Sequence, residues 1–317
     1  MTVTELVPAR KPTFYFVGVT TGKSSIMKVF PKWAEHLGLG DVEIKGIDCK
    51  WHDDPEVYRK VVDFLKNDPQ SVGALVTTHK MDLLEAAHDR FEYLDPYAEL
   101  LHEISSISKR DGTLRGHAKD PITSGYSYDA IVPAGYWKSS GGELCILGAG
   151  GSSLALICYI MKQKSKDEWP ARIVVTNRSP KRLEHMKQVH VGINPGIKME
   201  YVLAETAEAN DAVVNGLKAR SFVVNATGLG KDAPGSPLTD AVRFPEKGLV
   251  WEYNYRGELV FLDQARAQEK SRSLTVEDGW VYFIHGWTRV IAEVFGVDIP
   301  ASGPEFDEIC RIAAECR

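Results

Sequence analysis

The chain has 317 residues, of which 44% are hydrophobic and 26% are charged, a composition typical of soluble globular proteins with one large or two medium domains. The formal net charge is −5 and the sequence has no long basic run, so we expect no nucleic-acid partner. No apolar stretch reaches the roughly 20 residues of a membrane span, and the first residues lack the apolar core of a signal peptide, so we expect a cytoplasmic protein without a membrane partner.

The cysteines are odd in number and form no CxxC pair, which fits a reducing cytoplasm better than a disulfide framework. They are Cys49, Cys145, Cys158, Cys310 and Cys316. Histidines, cysteines and carboxylates are not grouped with the spacing of metal ligands, so we expect no metal site.

Residues 13 to about 114 alternate short apolar runs with amphipathic runs. The runs predicted as strands are FYFVGV, VEIKGIDC and GALVT, and those predicted as helices are SIMKVFPKWAEHLGL and PEVYRKVVDFLKN. Pro31 falls within the first helix, where proline is allowed only in the first turns or at a bend. Strand–helix alternation at this spacing predicts a mainly parallel sheet.

A second zone follows Asp120, and a third begins near Val276. The second opens with ELCILGAGGSSLALICYIMK, which predicts a strand, a glycine turn and a helix. Its later predicted strands are ARIVVTNRS, SFVVNATGLG and GLVWEYNY. The third zone predicts one or two helices, DGWVYFIHGWTRVIAEVFG and GPEFDEICRIAAECR.

The glycine turn is the most informative segment of the sequence. Gly148, Gly150 and Gly151 come directly after a predicted strand and directly before a predicted helix. Such a turn lets backbone N–H groups at a helix N-terminus face a pyrophosphate, and small residues such as Ser152 and Ser153 let the helix approach the sheet. The pattern predicts a dinucleotide site, whereas the plainer alternative is an ordinary strand–helix turn.

The end of the next predicted strand favours NADP over NAD. In dinucleotide folds this position meets the adenosine ribose, where a carboxylate would accept the 2′-hydroxyl of NAD. The chain has Asn177 and Arg178 there, with Lys181 and Arg182 close behind. A guanidinium can bind a 2′-phosphate through two hydrogen bonds, and a carboxylate would repel it. The alternative is an exposed arginine at the start of a helix.

These motifs, in this order, resemble the shikimate/quinate dehydrogenase family, and the resemblance runs from residue 18 to about residue 296. The family's GAGGAxxA signature matches GAGGSSLA, its NADP-type NR(T/S) signature matches NRS, and its NATxxG segment matches NATGLG. The resemblance implies that NADP, more than NAD, is the cofactor. The residues implied to bind it are Gly148, Gly150, Gly151, Ser152, Ser153, Asn177, Arg178, Ser179, Arg182, Asn225, Ala226, Thr227, Gly228 and Gly279.

The same resemblance implies an α/β fold with a discontinuous N-terminal α/β substrate domain and a Rossmann dinucleotide-binding domain. The substrate domain is expected to comprise residues 1–123 completed by 277–317, and the NADP-binding domain residues 124–276. The active site is expected in the cleft between them, and the protein is expected to be a monomer or homodimer that binds a small-molecule substrate.

The catalytic pair implied by the resemblance is Lys80 and Asp120. The family's NVTxPxK segment, whose lysine is catalytic, corresponds to LVTTHK, which is one residue shorter and lacks the proline. The family's GxNTD segment, whose aspartate partners that lysine, corresponds to GHAKD. Hydride transfer to a ketone leaves an alkoxide, which an ammonium group can stabilise and protonate. The alternative is that Lys80 is an ordinary loop lysine, with His79 the next candidate for this role.

The implied substrate pocket departs from the family pattern. Its SxS motif reads Ser24-Ser25-Ile26, its Asn-Thr pair before the aspartate reads Ala118-Lys119, and its final-helix glutamine aligns with Gly286. Loss of such hydrogen bonds can reduce activity on a polar substrate by up to roughly 10⁴–10⁵. We therefore expect shikimate to be a poor substrate. The implied substrate ligands are Ser24, Ser25, Thr77, Ser105, Tyr255 and His285.

Several other side chains align with the pocket, each with a plainer alternative. Lys23 and Lys119 would favour an anionic substrate but could equally face solvent. The histidines at 79, 117 and 285 could bind the substrate together, although each alone is more often a core or surface residue. Trp280 and Trp287 could wall the pocket or pack in the core.

These features together predict an NADP-dependent dehydrogenase or reductase that acts on CH–OH groups of a small polyhydroxylated ring. Shikimate-like, quinate-like and cyclitol-like compounds are the expected substrates. Two alternatives stay open. One is a reductase on the same scaffold for a carboxylate-free substrate, and the other is a non-catalytic NADP-binding sensor.

Overall fold

The computed structural model describes residues 1–194, 196–231 and 233–317. The chain divides into two compact units, of which the first comprises Met1–Lys119 with Ile284–Arg317 and the second comprises Asp120–Phe283. Both units are α/β, as predicted. The sequence placed the borders after residues 123 and 276, inside the helix that begins at Asp120 and inside a short edge strand.

The strands are numbered in chain order. They are β1 Thr13–Gly18, β2 Glu43–Asp48, β3 Ser71–Val76, β4 Tyr93–Leu94, β5 Ser106–Arg110, β6 Thr113–His117, β7 Leu144–Leu147, β8 Ile173–Asn177, β9 Met199–Leu203, β10 Phe222–Asn225, β11 Leu249–Glu252 and β12 Thr275–Glu277.

The helices are numbered in the same way, and short 3-10 turns occur at Val3–Glu5, Thr21–Lys23, His88–Arg90 and Lys166–Glu168. The α-helices are α1 Ile26–His36, α2 Pro55–Asn67, α3 Lys80–Ala87, α4 Pro96–Leu101, α5 Asp120–Ile131, α6 Tyr136–Ser140, α7 Gly151–Gln163, α8 Pro180–Ile193, α9 Ala207–Asn215, α10 Val260–Arg272, α11 Trp280–Phe295 and α12 Pro304–Ala314. None of the helices in the described ranges combines the length and apolar character needed to cross a bilayer.

The sheet of the first unit has the strand order β2-β1-β3-β5-β6-β4. Strand β1 is parallel to β2 and β3, and β4 is parallel to β6, but β5 is antiparallel to both of its neighbours. The sequence did not predict the β5–β6 hairpin. Ser106 and Ser108 are both fully buried in β5, which has a strand on each side.

The sheet of the second unit is entirely parallel, with the order β9-β8-β7-β10-β11-β12. Counted within the unit, this is the order 3-2-1-4-5-6 of doubly wound dinucleotide-binding folds. The strand order reverses between β7 and β10. In folds of this kind, ligands bind outside the carboxyl ends of the strands at such a reversal, because the two connecting helices leave the sheet toward opposite faces there.

Aromatic packing covers one face of the first sheet with α1 and α11. The Phe14 ring centroid lies 5.3 Å from that of Phe30 and 6.2 Å from that of Trp287, and Trp287 also meets Phe16 edge-on at 4.9 Å. Trp287 is therefore a core residue of the first unit and not an exposed pocket wall. Pro31 lies inside α1, and the helix continues through it.

Candidate functional site

The loops that follow β7 and β10 touch at the point where the strand order of the second sheet reverses. Gly148 has φ +106°, and a Cβ there would lie 3.0 Å from the carbonyl oxygen of Ala226. The backbone N–H of Ala226 donates to Leu147 at 2.9 Å, which extends the pairing of the two strands. Only glycine combines this backbone conformation with this close approach, so Gly148 is required by the turn itself.

The N-terminus of α7 opens toward free space. Its N-cap is Gly150, which offers no side-chain cap, and a Cβ on Gly150 would meet no atom within 4 Å. Gly151 and Ser152, which follow, are half-buried. The uncapped N–H groups of the first turn carry the positive end of the helix dipole, so a phosphate group fits here.

Ser153, also predicted to contact the cofactor, has a structural contact within the glycine turn. Its side chain is fully buried, and its Oγ donates to the carbonyl oxygen of Gly148 at 2.7 Å. This hydrogen bond closes the glycine turn from within.

The segment after β8 presents free guanidinium groups beside a helix start. Asn177 Oδ1 accepts from the N–H of Ser179 at 2.8 Å, and Ser179 Oγ caps α8 by accepting from the N–H of Arg182 at 3.4 Å. Arg178 and Arg182 are exposed, and no carboxylate in the described ranges forms an ion pair with either guanidinium. A free, exposed arginine after the second strand suits a 2′-phosphate.

A buried polar network holds the loop after β10. Asn225 Oδ1 accepts from the N–H and the hydroxyl of Thr227 at 3.0 and 2.6 Å. Asn225 Nδ2 donates to Glu252 Oε2 at 2.6 Å, and Glu252 Oε1 accepts from the N–H of Asn254 at 2.7 Å. Asn254 Nδ2 then donates to the carbonyl oxygen of Thr227 at 3.2 Å. The exposed Gly228 follows directly, so this network fixes the loop at the candidate cofactor site.

Glu252 lies entirely out of solvent in this network. Burial raises the pKa of its carboxyl group to about 7, although the hydrogen bonds from Asn254 and Asn225 and the positive charge of Lys231 lower it in part. A group with this pKa changes its charge near neutral pH.

The loop after β11 meets the start of α11 through a close backbone contact. A Cβ on Gly279 would lie 2.0 Å from the carbonyl oxygen of Tyr253, and the N–H of Gly279 donates to Asn254 at 3.2 Å. The Tyr253 hydroxyl is buried and has no hydrogen-bond partner among the described residues. Burial raises the pKa of this phenol well above its usual value, and the charge of Asp120 acts in the same direction.

Tyr255, a predicted substrate ligand, is half-buried beside an aromatic pair. Its ring centroid lies 4.4 Å from that of Phe283 and 5.6 Å from that of Trp280, and these two rings stack at 5.1 Å. The aromatic pair thus supports the Tyr255 ring from one side.

In the first unit, four chain segments meet at one edge of the sheet. This edge holds the carboxyl ends of β1, β3 and β6 and the amino end of the antiparallel β5. The backbone hydrogen bonds that join the segments are Thr77 N–H to Val17 O at 3.0 Å, Val76 N–H to Ser105 O at 2.9 Å, Ser105 N–H to His117 O at 2.9 Å and Ile104 N–H to Lys80 O at 3.2 Å. The topology therefore gathers the predicted substrate residues Thr77 and Ser105 and the backbone of Lys80.

Two of the predicted substrate hydroxyls at this edge bind the backbone. Thr77 Oγ1 donates to Val17 O at 3.2 Å, and Ser105 Oγ accepts from the N–H of Lys119 at 2.8 Å. Ser24 is buried, and Ser25 is the N-cap of α1 without a side-chain capping hydrogen bond. The hydroxyl groups of Ser24 and Ser25 are thus more available to a substrate than those of Thr77 and Ser105.

Ile26, which replaces the second hydroxyl of the family's SxS motif, is fully buried in the core. A hydroxyl there would be taken out of water, at a cost unless it found a hydrogen-bond partner.

Lys119 does not offer a free positive charge. Its Nζ lies 2.7 Å from Glu293 Oε2, and both side chains are 20% exposed. Burial opposes the ionisation of Glu293, but the hydrogen bond from Lys119 and the positive charges of His117, Lys119 and Arg110 together outweigh it and lower the pKa of Glu293 below its usual value. The expected contribution of Lys119 to binding an anionic substrate is therefore neutralised within the protein.

The histidines that align with the pocket have different neighbours. His79 is buried, and its Nδ1 lies 3.1 Å from the Tyr58 hydroxyl, with burial lowering its pKa. His117 Nε2 lies 3.2 Å from Glu293. His285 stacks on Phe306 at 4.5 Å, and burial together with a nearby arginine lowers its pKa to about 4. His285 is thus a neutral, packed side chain near neutral pH.

The predicted catalytic residues start helices. Lys80 is the first residue of α3 and is half-buried, and Asp120 is the buried first residue of α5. They belong to different units, and their pairing stays a prediction. No group of three or more histidine, cysteine or acidic side chains that could hold a metal ion occurs within the described ranges.

Comparison with known proteins supports the resemblance read from the motifs. No protein-family model matches the chain. The shikimate dehydrogenase (NADP(+)) of Lactococcus lactis subsp. cremoris is 28% identical over 179 residues, which cover 55% of this chain and 58% of that protein. The chain is thus similar to proteins named shikimate dehydrogenase (NADP(+)) over part of their length. It spans about three fifths of the length of the first curated relatives that it matches.

Solved structures show the same fold over almost the whole of the chain. The shikimate 5-dehydrogenase of Thermus thermophilus, solved with NADP(H) and shikimate, superposes with a TM-score of 0.70 at 19% identity. The matched region covers 96% of this chain and 99% of that protein. The quinate dehydrogenase of Corynebacterium glutamicum, solved with NAD, has a TM-score of 0.73 at 16% identity with the same coverage.

Several residues that shape the candidate sites were not predicted from the sequence. They are Asp95, Glu252, Tyr253, Asn254 and Glu293. A carboxylate inside the apolar run GLVWEYNY was a usable signal for Glu252, because a charged residue is rarely buried without partners. Glu293 gave no such signal, since one acidic residue on an amphipathic helix is ordinary.

We predict that Glu252 makes the stability of the protein depend on pH. Its pKa in the folded protein, about 7, lies above the usual value of 4.5, so the folded state keeps a proton that the unfolded state releases between these values. The stability contribution of this group is therefore complete at acidic pH and is lost as the pH rises through about 7. The loss should amount to roughly 3 kcal/mol.

The measurement is the free energy of unfolding in urea at about pH 5 and about pH 8. Because Glu252→Gln cannot ionise at this position, it lacks this loss of stability. The free energy of unfolding of the variant should therefore increase relative to that of the parent as the pH rises. The exposed Glu184 provides a matched control, Glu184→Gln. The same pH dependence in all three proteins would show that Glu252 does not carry the effect.

Proposed function

We propose that the chain is an NADP-dependent oxidoreductase that acts on a CH–OH or keto group of a small polyhydroxylated ring. The observation that carries the proposal is the open, uncapped N-terminus of α7 at the point where the strand order reverses, after a turn that only Gly148 can form. The similarity to proteins named shikimate dehydrogenase (NADP(+)) supports the same reading.

The cofactor would lie on the carboxyl edge of the second sheet. Gly150, Gly151 and Ser152 would present backbone N–H groups to the pyrophosphate, with Gly148 and Ser153 shaping the turn beneath. The loop from Asn225 to Gly228 would line the same reversal point, since the Glu252 network holds it there. NADP, when bound, would supply or accept the hydride.

The choice of NADP over NAD would rest on the segment from Asn177 to Arg182. Arg178 and Arg182 would pair with the 2′-phosphate, and Asn177 and Ser179 would fix the turn that carries them. No acidic side chain stands at the end of β8 to accept a ribose 2′-hydroxyl.

We predict that Arg178→Ala weakens NADP binding selectively. Removal of a charge-assisted hydrogen bond to the 2′-phosphate should raise the Kd for NADP roughly 10- to 100-fold, while the Kd for NAD changes little. Titration of each cofactor by intrinsic fluorescence measures both constants. Arg266→Ala, at an exposed position on α10, is the control. An equal loss of affinity for both cofactors, or tighter NAD binding by the parent, would refute the assignment.

Lys80 and Asp120 would perform the proton chemistry. The Lys80 ammonium would stabilise negative charge on the substrate oxygen and hold the proton that the oxygen gains on reduction. The Asp120 carboxylate would orient the ammonium and accept a hydrogen bond from the substrate hydroxyl. His79 is a weaker candidate for this role, because it is buried and contacts Tyr58.

We predict that Lys80→Ala and Lys80→Met each lower kcat by about 10²–10⁴-fold with little change in cofactor Kd. Asp120→Asn should also lose rate, and the double variant should lose much less than the product of the single losses, because the two residues act as a unit. Steady-state kinetics and cofactor titration provide the measurements, with the exposed Lys60→Ala as control. Near-normal turnover in Lys80→Ala would show that Lys80 has no catalytic role at the start of α3.

A second candidate is a reductase for a carboxylate-free ring ketone. It is favoured by the first unit, where Ile26 is buried, Thr77 and Ser105 bind the backbone, and Lys119 is neutralised by Glu293. Few groups are left there to hold a carboxylate. Ser24, Ser25, Tyr255 and a contribution from Lys23 remain as candidates for substrate hydroxyls or charge.

The experiment that tests the function is a substrate panel followed through the absorbance of reduced nicotinamide. We predict that kcat/KM for shikimate falls below about 10⁴ M⁻¹s⁻¹, the lower end of the usual range, and that another ring alcohol or ketone is turned over faster. Shikimate and quinate are compared with carboxylate-free cyclitols and their ketones, using NADP and NAD. A shikimate value within the usual range would contradict the prediction. Tight NADP binding without turnover of any compound would favour the non-catalytic sensor.

A further inference from the structure

A cluster of charged side chains surrounds the end of β6 in the first unit. The Glu293 cluster consists of Asp95, Arg110, His117, Lys119 and Glu293. Its members come from the N-cap of α4, the end of β5, the end of β6, the segment directly after β6 and the last turn of α11, so it joins residues 95–119 to a helix that is distant in the sequence.

Glu293 is the centre of this cluster. One carboxylate oxygen lies 2.7 Å from Lys119 Nζ, and the other lies 3.2 Å from His117 Nε2 and 3.4 Å from Arg110. The Arg110 guanidinium also donates to the backbone carbonyl of Glu293 at 2.8 Å. The side chains of Glu293 and His117 are 20% and 8% exposed, so water screens these contacts less than it would at the surface.

Every residue of the segment from His117 to Lys119 contacts a side chain elsewhere in the first unit. His117 contacts Glu293 and lies 3.7 Å from Asp95 Oδ2. The N–H of Ala118 donates to Asp95 Oδ1 at 3.2 Å. The N–H of Lys119 donates to Ser105 Oγ at 2.8 Å, and its side chain pairs with Glu293.

Asp120 follows this segment by one peptide bond and starts α5. Its own backbone carbonyl accepts from the hydroxyls of Ser124 and Thr123 at 2.7 and 3.2 Å. The backbone that carries the Asp120 side chain is thus fixed on both sides, by the cluster before it and by the helix after it.

We infer that Glu293 is a positioning residue. Through its ion pair with Lys119 it holds the segment from His117 to Lys119, and this segment fixes the position of the backbone of Asp120. This inference rests on the proposed function, in which Asp120 acts on the substrate. Displacement of a reacting group by about 1 Å can cost roughly 10²-fold in rate, so a residue that never touches the substrate controls turnover here.

The test compares variants that break or keep the Lys119–Glu293 pair in the full-length protein. Glu293→Gln and Lys119→Met break it, and Lys119→Arg keeps it. Glu308→Gln on α12 removes an exposed pair with Arg311 in the same unit and serves as the control. The readouts are amide hydrogen exchange of residues 117–120, kcat and KM, NADP affinity and the unfolding midpoint.

In Glu293→Gln and Lys119→Met, amide exchange of residues 117–120 should speed up and kcat should fall roughly 10- to 100-fold. NADP affinity and the unfolding midpoint should stay near those of the control. Lys119→Arg should behave as the parent, and the double variant should lose little more than either single variant, because both act through one pair.

Unchanged exchange of residues 117–120 in Glu293→Gln would overturn the inference, as would equal behaviour of Lys119→Arg and Lys119→Met. A parallel loss of kcat, NADP affinity and unfolding midpoint would indicate general destabilisation and would also overturn it. If the parent turns over no compound of the panel, the proposed function fails, and the exchange measurement alone decides whether Glu293 holds the segment.

Discussion

The buried carboxylate of Glu252 is the constraint on which the candidate cofactor site depends. It joins Asn225 at the end of β10 to Asn254 after β11, and through them it fixes the backbone of Thr227. Burial disfavours the ionised form of this carboxyl group, and the hydrogen bonds from Asn225 and Asn254 offset part of that cost. The loop beside the glycine turn therefore has little freedom to move.

The first unit uses its polar groups differently. Thr77, Ser105 and Lys119 lie where substrate ligands were predicted, but their side chains bind the backbone or another charge within the unit. A hydrogen-bonding group already satisfied inside the protein gains little from a substrate, since an old bond must break for a new one to form. Substrate specificity in this unit thus depends on which polar groups are not already hydrogen-bonded within the protein.

The basic residues Arg178 and Lys119 differ more in their environment than in their chemical type. Arg178 is exposed without an ion pair in the described ranges, whereas Lys119 is one-fifth exposed and bonded to Glu293. The first can exchange water for a phosphate at small cost, while the second has already lost its water and found a partner. Both are basic residues within two positions of the end of a strand.

The sequence alone determined β1 to β3, the later strands β7, β8, β10 and β11, the glycine turn at Gly148 and the basic segment at Arg178, because hydrophobic periodicity and turn chemistry are local properties. The antiparallel β5, the stacking of His285 on Phe306 and the pair between Lys119 and Glu293 were decided only by the tertiary structure. Lys119 and Glu293 are 174 positions apart, and nothing local to either residue favours the other as its partner. Partners of this kind are selected when the sheet and helices pack, since packing decides which polar groups lose water and must replace it with one another.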